Sequence, residues 1–242
     1  MISREDLASN LEKVRQEVAA AARRSGRRPE DVTLVGVTKT LPPETVALAA
    51  SLGLRDVGEN KAQEFRDKYA ALQGNQVGAG PGIHWHFIGH LQANKVKYLI
   101  GKVALLHSVD SLELLQEIDR LGRKTGVSMP VLLQLNISGE VAKSGMAESD
   151  LPGVLRGVAA LSFVKVQGLM TIAPVVTDPE EARPVFRRLA AIARQVAGEG
   201  YPGVAMKHLS MGMSGDLTVA VEEGATLVRV GTAIFGPRHQ KV

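Results

Sequence analysis

Short apolar runs rich in β-branched residues alternate along the chain with longer amphipathic stretches. Because strands that alternate with helices form parallel βαβ units, and because most of these runs are continuously apolar, the pattern favours an α/β fold, a closed (β/α)8 TIM barrel. An open, doubly wound sheet is the alternative. Eight runs predict the strands: Leu34–Thr38, Arg55–Val57, Trp85–Ile88, Leu105–Val109, Val131–Asn136, Val166–Met170, His208–Met211 and Leu227–Val230.

The stretches around these runs carry helix start and stop signals. Ser3 and Asp6 predict a capping box for an N-terminal helix that continues to about Ala22. Six further helices are predicted at Pro42–Gly53, Lys61–Leu72, Asn94–Ile100, Asp110 or Ser111 to Lys124, Pro179–Val196 and Asp216–Glu223. Another helix is predicted to begin at Asp150–Pro152.

No linker divides the chain, so we expect a single barrel domain over residues 1–242. The only Gly-rich stretch, Gln73–Gly82, fits a loop within the barrel period. Little sequence follows the eighth predicted strand. We therefore expect the extra N-terminal helix to occupy the place of a final helix, and we expect no C-terminal β domain.

Composition excludes several classes of protein. The 242 residues contain no cysteine, which excludes a disulfide framework, a thiolate metal site and a cysteine nucleophile. A net charge of +4 and 4% aromatic residues argue against nucleic acid binding. No apolar run reaches the length of a membrane helix, and the charged N-terminus lacks the apolar core of a signal peptide. We therefore expect a cytoplasmic protein that binds no membrane.

Polar and small residues follow the predicted strands. In a barrel of parallel strands, the carboxyl ends of all strands meet at one face, where active sites are built. The sequence therefore predicts one site at this face. Its candidates are Lys39, Glu59, Asn60, Gly89, His90, Ser108, Asp110, Asn136, Ser138, Met170, Thr171, Ser210–Ser214, Arg229, Gly231 and Thr232.

Lys39 directly follows the first predicted strand. A lysine held in a cleft of low dielectric loses proton affinity and becomes a nucleophile toward aldehydes. On position alone, a lysine whose ammonium extends to water at the barrel mouth is an equally good interpretation.

Two loops suggest a phosphate site. Barrels frequently bind phosphate with the loops after strands seven and eight, which here are Ser210–Asp216 and Arg229–Ala233. Their small residues allow backbone amides to approach an anion, and Ser210, Ser214 and Thr232 offer hydroxyl groups. Simple turn chemistry is the less favoured alternative.

Three further residues are notable for their place within predicted strands. Arg229 is costly to bury unless it meets an anion or a firm acceptor, such as a ligand or an internal carboxylate like that of Glu59. His84 and His86 share one face of the third strand, but no third metal ligand is apparent. We therefore favour a structural role for the two histidines and expect no metal.

Several of these stretches match a known family. The chain resembles, from end to end, the pyridoxal phosphate homeostasis proteins, a family of cofactor-binding barrels similar to the N-terminal domain of alanine racemase. The matching segments are Val35–Lys39, Gly58–Glu64, His84–Lys95, Ser108–Ser111, Asn136–Ser138, Gly139–Glu140, Lys143–Gly145, Gly168–Met170, Leu209–Ser214 and Arg229–Gly236.

The resemblance implies that pyridoxal 5′-phosphate (PLP) is held as an internal aldimine on Lys39, with Arg229 facing the pyridine nitrogen. It also implies which residues complete the cofactor site. Ser210, Gly231 and Thr232, with Met211 or Ser214, would surround the phosphate, and Asn60 and His90 would line the open side.

Three functions compete: a non-catalytic PLP carrier or regulator, a PLP-dependent amino-acid racemase, and an enzyme acting on a phosphorylated metabolite. A two-base racemase needs a second proton donor, which the racemase family takes from the tyrosine of an additional domain. We expect that domain to be missing, and Tyr69, Tyr98 and Tyr201 fall on predicted helices or a connecting loop. An arginine at the pyridine nitrogen also weakens the electron sink.

The sequence therefore favours the carrier, without catalytic residues. We expect a monomer that buffers PLP or delivers it to apo forms of PLP-dependent enzymes.

Overall fold

The computed structural model describes residues 2–73, 82–140 and 144–237. Within these ranges eight parallel strands pair in chain order, and the last pairs with the first. The predicted closed barrel is thereby confirmed, and the open sheet is excluded. The strands are β1 (Thr33–Val37), β2 (Asp56–Glu59), β3 (His84–Phe87), β4 (Leu105–Val109), β5 (Met129–Gln134), β6 (Val164–Met170), β7 (Val204–Ser210) and β8 (Leu227–Val230).

Helices connect the strands on the outside of the barrel. They are α1 (Arg4–Arg24), α2 (Pro43–Ser51), α3 (Ala62–Gln73), α4 (Leu112–Thr125), α5 (Leu151–Val158), α6 (Arg183–Glu199), α7 (Leu217–Glu222) and α8 (Thr232–Phe235). The Ser3 hydroxyl accepts from the backbone N–H of Asp6 at 3.0 Å, which caps α1 as expected.

Two helix predictions differ from the structure. The segment Ala93–Tyr98 is a 3₁₀ helix, and Pro179–Ala182 forms a separate 3₁₀ turn before α6. Pro184 explains the second difference, because proline lacks an N–H and its ring clashes with the carbonyl four residues earlier. An α-helix therefore cannot run regularly from Pro179 through this position.

The core has two layers, as the alternation of side chains along barrel strands requires. Outward-facing residues pack against the helices in one large apolar cluster. A second cluster lies inside the barrel and consists of Val35, Leu105, Leu132, Met170 and Leu227. The interior also contains polar side chains. His86, His107, Ser210 and Arg229 are buried at inward-facing positions of β3, β4, β7 and β8.

Helix α1 closes the ring of helices. It packs against α7 and α8, beside the junction of β8 and β1. Its buried face includes Leu7, Leu11, Val14 and Val18, and Asn10 donates a hydrogen bond to the carbonyl of Ile234 at 3.1 Å. The prediction that this helix takes the place of a final one is confirmed.

Two sequence predictions fall at least partly outside the described residues: most of the Gly-rich stretch Gln73–Gly82, and Lys143 of the matching segment Lys143–Gly145. Over the described ranges, no helix is both long and apolar enough to cross a bilayer. Nor does that part of the chain gather three or more His, Asp or Glu side chains in a metal-binding cluster.

Candidate functional site

A buried ion pair between Lys68 and Glu59 holds the segment that joins the end of β1 to Lys39. The Lys68 ammonium of α3 donates to the carbonyl of Thr38 at 2.7 Å and to Glu59 Oε1 at 2.7 Å. The Thr38 hydroxyl donates to the same carboxylate oxygen at 2.6 Å. Burial raises the pKa of Glu59 above its usual value, although Lys68 opposes the shift. The backbone at Thr38, the residue before Lys39, is therefore held in place by α3.

The backbone turns sharply just after Lys39. Thr40 has a φ of +67°, a left-handed conformation that is costly for a β-branched residue. Its N–H donates to Glu64 Oε2 at 2.8 Å, so α3 holds this turn as well. The Lys39 side chain itself is half-buried.

Arg229 lies inside the barrel with 4% of its surface exposed. Its guanidinium donates to the Ser210 hydroxyl at 2.6 Å and to the Thr171 carbonyl at 2.9 Å, and both acceptors are neutral. Burial lowers the pKa of Arg229 to about 10, and the nearby charge of Asp216 acts in the opposite direction. The suggested pairing with Glu59 is wrong, because Glu59 binds Lys68 on the outer side of the strand.

The two predicted phosphate loops lie side by side. Ser214 Oγ accepts from the N–H of Ala233 at 3.3 Å, which joins the loop after β7 to the start of α8. Ser214 is half-buried, Gly231 is buried and Thr232 is exposed. The Ala233 N–H lies in the first turn of α8, where N–H groups lack intrahelical acceptors, and Ser214 supplies its acceptor.

The structure directs the side chains of two predicted phosphate residues away from the loop after β7. Ser210 is fully buried, and its hydroxyl lies between His107 and Arg229 instead of at the mouth. Met211 packs its side chain in the outer apolar cluster, and its N–H donates to the Leu227 carbonyl at 3.1 Å. Neither residue presents a side-chain donor to a phosphate in the loop.

A line of polar contacts continues from Ser210 through the barrel interior. His107 Nδ1 lies 2.8 Å from Ser210 Oγ, and His107 Nε2 lies 2.9 Å from His86 Nδ1. His86 Nε2 reaches Asp56 Oδ1 at 3.0 Å, and His84 contacts the same oxygen at 3.3 Å. The structural role expected for His86 is thus supported. Sequence analysis missed His107, whose signal was a polar residue inside an apolar strand.

Asn60 and His90 border one cavity, whose lining does not include Lys39 or Arg229. This cavity has a volume of about 230 Å³ and is also lined by Lys61 and Lys95. His90 is largely exposed, with Nδ1 3.7 Å from a carboxylate oxygen of Asp110. The Oδ1 atom of Asn60 is buried and has no hydrogen-bond partner among the described residues.

Comparisons with known proteins place the chain in a family. The model described as "Alanine racemase, N-terminal domain" matches residues 2–239. The chain is 43% identical to the pyridoxal phosphate homeostasis protein of Aquifex aeolicus over 228 residues, which are 94% of this chain and 96% of that protein. The corresponding Pseudomonas aeruginosa protein is 39% identical over 235 residues.

A solved structure supports the same relationship. PipY of Synechococcus elongatus, determined with PLP bound, is 33% identical, with a TM-score of 0.81 over 95% of this chain and all of that chain. From these matches, the chain belongs to the alanine racemase N-terminal domain family and, within it, to the pyridoxal phosphate homeostasis proteins.

Proposed function

We propose that this protein binds PLP at the barrel mouth and holds it for intracellular homeostasis, with the Lys39 amine bonded to the cofactor aldehyde. The observation that carries the proposal is the buried Arg229, whose guanidinium is held by a neutral hydroxyl and a neutral carbonyl. A guanidinium carries more N–H donors than these two bonds use. A pyridine nitrogen is an acceptor that suits such a donor.

The other residues fit the same cofactor. Lys39 follows the end of β1, which is paired with β8, the strand that carries Arg229. Ser214, Gly231 and Thr232 supply hydroxyl and backbone donors for the phosphate. When bound, PLP supplies an aldehyde that reacts with amines and a ring that withdraws electrons.

The proposal is a carrier and not a racemase. Racemisation requires an acid–base group on each face of the substrate. The three tyrosines, Tyr69, Tyr98 and Tyr201, pack against the outer apolar cluster and not at the barrel mouth. An Arg229 donor also leaves the ring nitrogen unprotonated, which weakens electron withdrawal. We therefore expect no turnover of alanine, serine or ornithine above the rate of free PLP.

Borohydride reduction of the PLP-loaded protein tests the attachment site. The wild type absorbs in the visible range, and reduction fixes the pyridoxyl mass on the peptide that contains Lys39. Lys39→Ala folds normally but loses the chromophore, because the amine contributes little packing. Lys95→Ala, which removes another lysine near the mouth, serves as the matched control and keeps the adduct.

Two results would overturn the proposal. The first is a reduced adduct on another lysine with Lys39 unmodified, and the second is stereochemically defined turnover that Lys39→Ala abolishes. Pyridoxal tests the phosphate loops separately. Because hydrogen bonds to a charged acceptor contribute about 1.5–3 kcal/mol each, pyridoxal should bind at least about tenfold more weakly than PLP.

The carrier proposal includes a monomer that passes PLP to apo forms of PLP-dependent enzymes. Its support is the membership of the chain in the pyridoxal phosphate homeostasis proteins together with the surface cavity bordered by Asn60 and His90. Transfer is measured by reactivation of an apoenzyme when free PLP is trapped by a scavenger. If the apoenzyme is not reactivated under that condition, the protein stores PLP but does not deliver it, and the delivery part of the proposal is wrong.

A further inference from the structure

The polar line in the barrel interior connects the two faces of the molecule. It begins at Asp56, the first residue of β2, and ends at Arg229 in β8. Its inner members are fully or almost fully buried: His86 is 4% exposed, while His107 and Ser210 are 0% exposed. Each contact along the line is 3.0 Å or shorter.

The chemistry of its ends fixes the direction of these hydrogen bonds. Asp56 accepts, because burial raises its pKa but the hydrogen bond and charge of His86 bring that pKa below its usual value. His86 Nε2 therefore donates to Asp56, and neutral His86 accepts at Nδ1 from His107 Nε2. His107 Nδ1 then accepts a hydrogen bond from the Ser210 hydroxyl. Ser210 Oγ is left to accept from Arg229, so every donor points from Arg229 toward Asp56.

The Asp56 end is open to solvent. A cavity of about 530 Å³ at the amino-terminal face is lined by Arg15, Glu30, Arg55 and Asp56. The Asp56 side chain is 27% exposed, whereas Arg229 at the other end of the line is 4% exposed. Protons thus reach His86 most directly from this face.

Charged and titratable groups surround His86 on four strands. Asp56 of β2 contacts it, His84 lies two residues away on β3, and His107 of β4 contacts its other nitrogen. Beyond these contacts, His208 of β7 interacts electrostatically with His86, and Lys207 acts on His208. Burial, followed by the charges of His86, Arg229 and His208, lowers the pKa of His107 well below its usual value. An added proton is therefore disfavoured on His107, and His86, which contacts the partly exposed Asp56, is the member of the line through which the proposal takes protonation to act.

A proton on His86 reverses the direction of the hydrogen bonds between His86, His107 and Ser210. Both His86 nitrogens then donate, so His107 accepts at Nε2 and donates from Nδ1 to Ser210 Oγ. In this change one solvent proton is taken up, His107 moves its own proton from Nε2 to Nδ1, and no bond between heavy atoms changes. The Ser210 hydroxyl proton loses its acceptor inside the core, which is unfavourable, while its oxygen receives donors from both His107 and Arg229.

We propose that Asp56, His86, His107 and Ser210 form a proton-responsive support for Arg229, through which protonation of His86 at the amino-terminal face weakens PLP binding at the opposite face. The four are positioning residues, and the proposal rests on the proposed PLP site at the barrel mouth. By linkage, acid then promotes PLP release, and bound PLP favours the arrangement in which every donor points from Arg229 toward Asp56.

The variant His86→Gln tests the support, because an amide offers one donor and one acceptor, as neutral imidazole does, but takes no proton. The dissociation constant of PLP is measured at about pH 8 and about pH 5.5, a range that histidine titration spans. PLP binding by the wild type should weaken more than that by His86→Gln between the two pH values, because only the wild type can take up the proton that reverses the hydrogen bonds of the line. Ionisations of PLP itself cancel in this comparison.

His84→Gln is the matched control. His84 contacts the same Asp56 oxygen, but it is exposed and lies outside the line. This variant should keep the wild-type pH response. Equal pH responses in the wild type and His86→Gln, or loss of the response in His84→Gln, would overturn the proposal.

A second measurement needs no PLP. In the cofactor-free protein, ¹⁵N NMR of the histidine rings should place the His107 proton on Nε2 at neutral pH and on Nδ1 once His86 is protonated, with faster exchange of the Arg229 guanidinium protons. A His107 proton that stays on one nitrogen throughout contradicts the reversal. If PLP fails to bind at any pH, the proposed function fails, while this titration still decides whether the line responds to protons.

Discussion

Lys68 is a buried cation that joins α3 to the strand end in front of Lys39. Its side chain is 7% exposed, and its partner Glu59 is completely buried. A buried ion pair is rarely more stabilising than an apolar pair of the same size, because both charges lose their hydration. Its benefit here is geometric, since the same ammonium fixes the Thr38 carbonyl and the same carboxylate accepts the Thr38 hydroxyl.

We predict that Lys68→Met destabilises the protein and impairs PLP binding together. The change leaves the Glu59 carboxylate buried without its cation, which costs about 3–5 kcal/mol. It also frees the backbone beside Lys39. Urea denaturation measures the first effect, and PLP titration of the folded variant measures the second.

Two variants make this prediction specific. Lys13→Met changes an exposed lysine of α1 and should alter stability by less than about 0.5 kcal/mol. Adding Glu59→Gln to Lys68→Met removes the orphaned charge, so the double variant should be more stable than the sum of the two single losses. Strict additivity would mean that the two side chains do not act as a pair.

At the scale of elements, α1 is part of the barrel and of its site. It covers α7 and α8, and the Asn10 side chain holds the carbonyl of Ile234 close to the Gly231–Thr232 turn. A helix that merely decorated the surface would contribute little to stability. The complete burial of Leu7, with Leu11 only 1% exposed, argues for an integral element.

Leu11→Ala should therefore lower the free energy of unfolding by about 2–5 kcal/mol, the usual cost of truncating a buried leucine. Denaturant unfolding monitored by circular dichroism measures the loss. Glu17→Ala, on the exposed face of the same helix, should change the free energy by less than about 0.5 kcal/mol. A small loss for Leu11→Ala, close to that of the control, would show that α1 is dispensable.

The elements were predictable from sequence because their periodicity reports burial directly. The bounds of β4 and β8 agree with the prediction, whereas β7 begins at Val204, earlier than expected, and ends at Ser210. The position of this strand end determines where two of the predicted site residues lie. Ser210 is the last inward-facing position of the strand, and the Met211 N–H, just beyond the strand, still donates to the Leu227 carbonyl, so neither side chain points into the loop.

Contacts across the barrel were beyond sequence analysis for a different reason. Alternation shows which residues of one strand point inward, but the depth at which residues of different strands meet depends on tilt and stagger. His86, His107 and Ser210 come from three strands, so their contacts cannot be predicted without knowing that stagger. The position of Lys39 needed no such information, because a residue directly after a barrel strand reaches the mouth in any register.

At the scale of the whole molecule, the barrel interior carries histidines where an apolar core would be expected. His107 is completely buried, and burial lowers its pKa well below the usual value, as do the charges of His86 and Arg229. The pKa of the half-buried His208 is lowered as well, first by burial and then by Lys207 and His86. Neutral histidines inside the barrel make the fold sensitive to acid.

The sign of this sensitivity follows from proton binding. Below the usual histidine pKa of about 6.5, the unfolded chain protonates these histidines while the folded barrel keeps His107 neutral. The unfolded state then binds more protons, so the free energy of unfolding falls as the pH is lowered from about 7 toward the depressed pKa. Each such group contributes at most about 1.4 kcal/mol per pH unit.

We therefore predict that His107→Gln flattens the acid dependence of stability, because glutamine keeps a donor and an acceptor but does not titrate. Urea denaturation of the cofactor-free protein at about pH 7 and about pH 5.5 gives the difference for each variant, over the range in which unfolded histidines titrate. The wild type should lose more stability than His107→Gln across this interval. His84→Gln, which removes an exposed histidine, should lose as much as the wild type. Equal losses in wild type and His107→Gln would mean that His107 is protonated inside the folded barrel.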